Sequence, residues 1–82
     1  MHIYRLGRLS VAFDYLDRAP ATIFLDSWPV ATIQHGAIYA GGHMLPTSVI
    51  AGGRTALRAY ARHIGMAGAD GRITHEEILN HA

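Results

Sequence analysis

Cysteine and lysine are both missing from the 82 residues of this chain. Without cysteine there is no disulfide scaffold, no zinc ribbon and no thiol nucleophile, and the composition suits a reducing compartment. Without lysine, arginine alone carries the basic charge, at positions 5, 8, 18, 54, 58, 62 and 72. Neither sign of charge is in excess: seven basic residues face six acidic ones, for a formal net charge of +1. The molecule as a whole therefore carries no strong field toward a polyanion, and a charge-based partner has to be met by a local patch. No run approaches the roughly 20 apolar residues of a membrane span, and Met1-His2-Ile3-Tyr4-Arg5 does not lead into an apolar signal core. The expectation is a cytoplasmic chain with no membrane partner.

What is present is apolar material in quantity. Half of the residues are hydrophobic and no long polar tract interrupts them, which argues for a folded globule. A chain of this length supports one core, so residues 1–82 are expected to form a single small domain.

The first half has the period of strands. Leu9, Val11, Phe13 and Tyr15 alternate with Ser10, Ala12 and Asp14, which puts the large side chains on one face of a strand over residues 8–16. His2–Leu6 reads as a strand before it, with Gly7 as a turn or bulge. Asp17-Arg18-Ala19-Pro20 then breaks the pattern. Thr22–Leu25 and Val30–Ile33 flank Asp26-Ser27-Trp28-Pro29, a hairpin signature in which proline fixes φ and aspartate bonds to nearby backbone. His35-Gly36 punctuates the chain before a strand at Ala37–Ala40, which Gly41-Gly42 ends. Residues 2–40 thus predict an antiparallel meander of four to five short strands.

The second half changes period. Leu57, Tyr60, Ala61 and Ile64 recur at helical spacing and Gly65 is a C-terminal stop, so the spacing predicts a helix over 53–64. Pro46-Thr47-Ser48 is an alternative helix entry, with Ile50 in phase. Gly52-Gly53 would each cost about 1 kcal/mol inside such a helix, so a loop or short strand through Ala51 is the preferred reading. The fold class is α+β: the meander packed on one main C-terminal helix, followed by a short terminal helix near 75–81.

Four features invite a functional reading. Asp70-Gly71-Arg72-Ile73-Thr74-His75-Glu76-Glu77 reads like the second half of an EF-hand calcium loop, with Gly71 at the glycine position and Glu77 at the last ligand. The same register places Met66 and Gly68 at the first and third ligand positions, where neither has a side-chain oxygen. A tight turn at Asp70-Gly71 and a capping box at Thr74-x-x-Glu77 explain the letters with fewer demands, so no metal and no cofactor is expected. Arg54, Arg58 and Arg62 stand at i, i+4 and i+8, a ridge able to grip phosphates or a partner's carboxylates, or else the wet side of an amphipathic helix. The six histidines, at 2, 35, 43, 63, 75 and 81, show neither His-x-His nor an i, i+4 pair on a helix, and read as scattered surface residues. The Gly52-Gly53-Arg54-Thr55 stretch offers amides at a helix start but matches no phosphate-loop pattern.

No serine lies in a G-x-S-x-G context and no other catalytic motif occurs, so no enzyme activity and no catalytic residue is expected. The leading function class is a non-enzymatic interaction protein that binds a larger protein or complex. Regulators and inhibitors of the kind that phages and mobile elements direct at a host defence complex are of this sort. Its contact residues would be Trp28, at the predicted hairpin tip, with Arg54, Arg58 and Arg62. The alternative is a small nucleic-acid-binding protein using the Arg54/Arg58/Arg62 helix face. A homodimer sealed through an open sheet edge is a third arrangement.

Overall fold

Two-residue turns set the architecture. In the computed structural model, which describes residues 1–13, 21–45 and 52–78, Asp26-Ser27, His35-Gly36 and Gly41-Gly42 each take positive φ at both positions. That is the type I′ geometry, whose twist matches that of the strands it joins. Gly7, at φ 59°, opens the remaining two-residue turn, Gly7-Arg8.

The strands β1 (His2–Leu6), β2 (Leu9–Phe13), β3 (Ala21–Leu25), β4 (Trp28–Gln34), β5 (Ala37–Ala40) and β6 (His43–Met44) form an antiparallel meander, in which these turns join β1 to β2 and β3 through β6 in succession. The helix α1 (Gly53–His63) follows, and the last described strand, β7 (Thr74–Glu77), returns to pair antiparallel with β1. Among the described residues the sheet has seven strands in the order β6-β5-β4-β3-β2-β1-β7, and α1 packs chiefly against β1 and β2. The fold is α+β, with one helix among the described residues.

The alternation read at Leu9, Val11 and Phe13 is the burial pattern of β2, where all three face the core. They join Leu6, Ile23, Ile33, Ile38 and Leu45 from the rest of the sheet region, and Ala56, Leu57, Tyr60 and Ala61 from the helix, in one cluster. Each fully buried Leu or Ile contributes about 1.5–3 kcal/mol, and the helix earns its place by filling the β1–β2 side of that cluster. Gly53 makes close approach possible there: a Cβ at this position would lie 2.2 Å from Cδ2 of Tyr4.

Several expectations are corrected. Residues 74–77 are a strand, so no terminal helix begins near 75. β1 would otherwise present an unpaired edge of N–H and C=O groups, and pairing it satisfies more backbone than one turn of a short polar helix could. The hairpin turn is Asp26-Ser27 alone. Trp28 and Pro29 lie inside β4, where the register shifts so that Ile23 pairs with Ala31 and Phe24 with Pro29. Val30 is the extra residue of this bulge, a position that tolerates a proline beside it. Gly41-Gly42 ends β5 after Ala40 as expected, but the meander runs past residue 40, because this pair also turns the chain into β6. Ile64 caps the helix and is 41% exposed, outside the core. Gly65 closes a Schellman motif as expected: its N–H bonds to Arg62 O, and Met66 N–H bonds to Ala61 O. The expectations for residues 14–20, for the stretch 46–51 and for residues 79–82, including His81, lie outside the described residues.

Candidate functional site

The β3–β4 hairpin end presents Trp28 to solvent. The register pairs Leu9 with Leu25 and Leu25 with Trp28, so the three form one cross-strand row on the core-facing side of the sheet. Leu9 is buried beneath the helix end of that row, whereas Trp28, beyond α1's main cover, is 73% exposed. The turn before it is tied down at Asp26 by both backbone and side chain. Asp26 N–H donates to Arg8 O at 3.0 Å, which ties this turn to the β1–β2 turn. The Arg8 guanidinium grips Asp26 through Nε, 2.6 Å from Oδ2, and through Nη2. This hydrogen bond and the arginine's charge hold the Asp26 carboxyl below the usual carboxylate range, while the same bond raises Arg8. The indole therefore projects from a turn that is tied to the neighbouring β1–β2 turn.

The arginine ridge forms as the spacing predicts, but its guanidinium groups are turned to the protein's own chain. Arg58 is half-buried and donates from Nη1 to the carbonyl oxygens of Ala69, at 3.2 Å, and Gly71, at 2.9 Å. Arg62 donates to Asp70 Oδ1 at 2.5 Å. That bond, and then the charges of Arg62 and Arg58, pull the Asp70 carboxyl down from its ordinary value. Arg54 lies over the Tyr4 ring, 5.1 Å from its centroid. Arg58 and Arg62 thus clamp the turn at Gly68–Gly71 against the helix, while Arg62 stays largely exposed to solvent. Beside it runs a shallow depression of about 270 Å³ lined by Arg54, Thr55, Arg58, Ala59 and Arg62.

The residues that resemble half of a calcium loop separate. Asp70 pairs with Arg62, Gly71 closes a turn by donating its N–H to Gly68 O at 2.8 Å, and Glu77 is carried away on β7 to a position opposite His2. Thr74 pairs with Arg5 in the ladder, so the Thr74-x-x-Glu77 capping box does not form. Among the described residues, no group of three or more His, Asp or Glu side chains is placed to hold a metal ion.

The structure does gather one cluster that the spacing of the histidines conceals. His2 and His75, 73 residues apart in the chain, meet through Nδ1 and Nε2 at 2.9 Å. Their planes are within 25° and their centroids are 5.1 Å apart. With ring nitrogens that close, the rings meet edge to edge, and the contact is an N–H···N hydrogen bond rather than a face-to-face stack. His75 does stack on Tyr4, at 4.6 Å between centroids and 9° between planes. Phe13 meets the same tyrosine edge-on at 6.4 Å. Arg54, Tyr4, His75 and His2 therefore form a continuous line from the helix start to the outer strand. Of the other described histidines, His35 lies in a turn, His43 on β6 and His63 at the helix end.

The two outer strands differ in character. β6 has two residues and exposes Met44, which pairs with Tyr39. β7 has four exposed residues and ends in Glu76-Glu77. Among the described residues no helix is long and apolar enough to cross a membrane. No protein-family model, no curated protein and no solved structure matches the chain.

Proposed function

We propose that this chain acts by binding a larger protein, as a regulator or inhibitor rather than as an enzyme, with Trp28 as the anchor of the contact. The observation that carries the reading is the exposure of that tryptophan beside a hairpin turn tied down at Asp26. Leaving a large aromatic surface in water forgoes the stabilisation its burial would bring. Tryptophan, with only two side-chain torsions to fix on docking, is a residue type that dominates protein-binding energetics.

The nucleic-acid alternative rests on the depression beside Arg54, Arg58 and Arg62. It has less support, because Arg58 and Arg62 already donate to Ala69, Gly71 and Asp70.

The test is site-specific photo-crosslinking from position 28 in the native cell, followed by reconstitution of the crosslinked complex from purified components. Trp28→Ala is expected to weaken that complex by roughly 2–4 kcal/mol, about 30- to 1,000-fold in Kd. An unchanged Kd would overturn the reading. Crosslinks to DNA or RNA, with affinity that falls steeply as salt rises, would favour the alternative.

A further inference from the structure

Resting on the protein-binding reading above, we propose that the depression along α1 seats an acidic helix of the same partner, with carboxylates spaced to meet Arg54, Arg58 and Arg62.

The helix carries charge of one sign. Between Gly53 and His63 stand three arginines and no aspartate or glutamate. Arg54 lies in the first turn, where the helix dipole favours an acidic group, and arginines four residues apart repel one another. Compensation from the rest of the chain is partial. Among the described residues Asp70 is the one carboxylate that meets the ridge, and its pairing with Arg62 leaves both side chains largely exposed. An ion pair so open to water is weak. Arg58 donates from Nη1 to two carbonyl oxygens, which carry no charge, and Arg54 meets the face of Tyr4. Three cations against one anion leave a local surplus on this face, although the whole chain has a formal net charge of only +1.

The shape of the depression favours a helix as the carrier of the balancing charge. Thr55 and Ala59, each one residue along from an arginine, join the ridge in lining about 270 Å³. Small side chains at such a place let a second backbone come close, as where the ridges of one helix enter the grooves of another. The arginines repeat every four residues, about 6 Å along the axis, and carboxylates at the same interval on a facing helix meet them in register.

Phosphates fit this face less well. A nucleic-acid strand gains affinity from many contacts along an extended basic surface, whereas the surplus here is confined to one 11-residue helix. Asp70, held at the ridge by Arg62, would also lie beside the strand and repel it. A few carboxylates on a protein helix match the number of uncompensated cations, and Arg58 can meet one of them through nitrogens other than Nη1 while it keeps the turn.

Titration of the ¹⁵N-labelled full chain with synthetic helical peptides tests the seat. One alanine-rich peptide carries three glutamates four residues apart, and its isomer carries the same three side by side. The spaced peptide is expected to shift the signals of Arg54, Thr55, Arg58 and Ala59 with a Kd on the order of 1 mM, and the isomer to bind about threefold more weakly. Ala59→Glu places a carboxylate in the depression without removing a native hydrogen bond, and Arg54→Gln removes a cation from an exposed position. Each should weaken the spaced peptide by about fivefold. Absent shifts, equal binding of the two isomers, or an unchanged Kd in both variants would overturn the proposal. So would a DNA or RNA oligonucleotide that binds the same residues more tightly at equal salt. Trp28 takes no part in this titration, so failure of the seat and failure of the Trp28 anchor are read separately.

Discussion

Gly53→Ala is the substitution in which local and tertiary preferences are most directly opposed. Gly53 is the first residue of α1, where alanine is favoured over glycine by about 1 kcal/mol. On propensity alone the variant should be more stable. The added Cβ would lie 2.2 Å from Cδ2, 2.6 Å from Cε2 and 2.8 Å from Cγ of Tyr4. These are ring atoms that include the one attached to Cβ, so the whole ring has to rotate or the helix has to lift.

Rotation is resisted by everything already on that ring: His75 stacked upon it, Phe13 against its edge and Arg54 over it. Overpacking of this kind costs roughly 1–3 kcal/mol, and a displaced aromatic contact about 0.5–1.5 kcal/mol more. After the helical gain is subtracted, Gly53→Ala should destabilise by about 1–3 kcal/mol, or roughly 5–15 °C in Tm for a domain of this size. Urea unfolding measures it, in the native background and in Tyr4→Ala. Without the ring, the same change should be neutral or stabilising by up to about 1 kcal/mol. A stabilising Gly53→Ala in the native background, or an equal loss in both backgrounds, would refute the close approach of helix and strand.

Two further predictions concern charged groups. Arg58→Met keeps an aliphatic stem but removes the donors to Ala69 O and Gly71 O. It is expected to destabilise by about 1–3 kcal/mol and to speed amide exchange at Gly71, and unchanged exchange there would show that the clamp does not hold the turn. Asp26→Asn retains a residue that accepts positive φ in the hairpin turn but cannot pair with Arg8 as an anion. Because the Asp26 carboxyl sits below its ordinary range when folded, its contribution is complete above about pH 4 and is lost as pH falls through the folded value. The acid limb of a stability-versus-pH curve should therefore flatten in Asp26→Asn, and superimposable curves would contradict the pairing.

The meander was legible in the letters because two signals coincided: alternation at Leu9, Val11 and Phe13, and turn pairs such as His35-Gly36 with positive φ. The main helix was legible from Leu57, Tyr60 and Ala61, which are all buried. β7 was not legible. Thr74-His75-Glu76-Glu77 has no apolar alternation, and what makes it a strand is the open edge of β1 some seventy residues earlier in the chain. The same remoteness hid the meeting of His2 and His75. The arginine ridge was visible as a spacing, but its partners were not: Arg58 meets main-chain carbonyls, which leave no trace in a sequence, and Tyr4 reaches Arg54 only through the fold. Trp28 could be placed near a hairpin tip from Asp26 and Pro29. Whether it turned inward depended on the bulge at Val30 and on how far α1 extends over the sheet.

Trp28 is the single tryptophan of the chain, so its fluorescence reports on the proposed contact without a label. Quenching by iodide, measured for the free chain and again in complex with the crosslinked partner, tests the account's central claim directly. The account predicts free access of quencher to the indole in the isolated protein, strong protection in the complex, and a blue-shifted emission as the ring leaves water. Quenching that is slow in the free chain, or unchanged when the partner is bound, would contradict it.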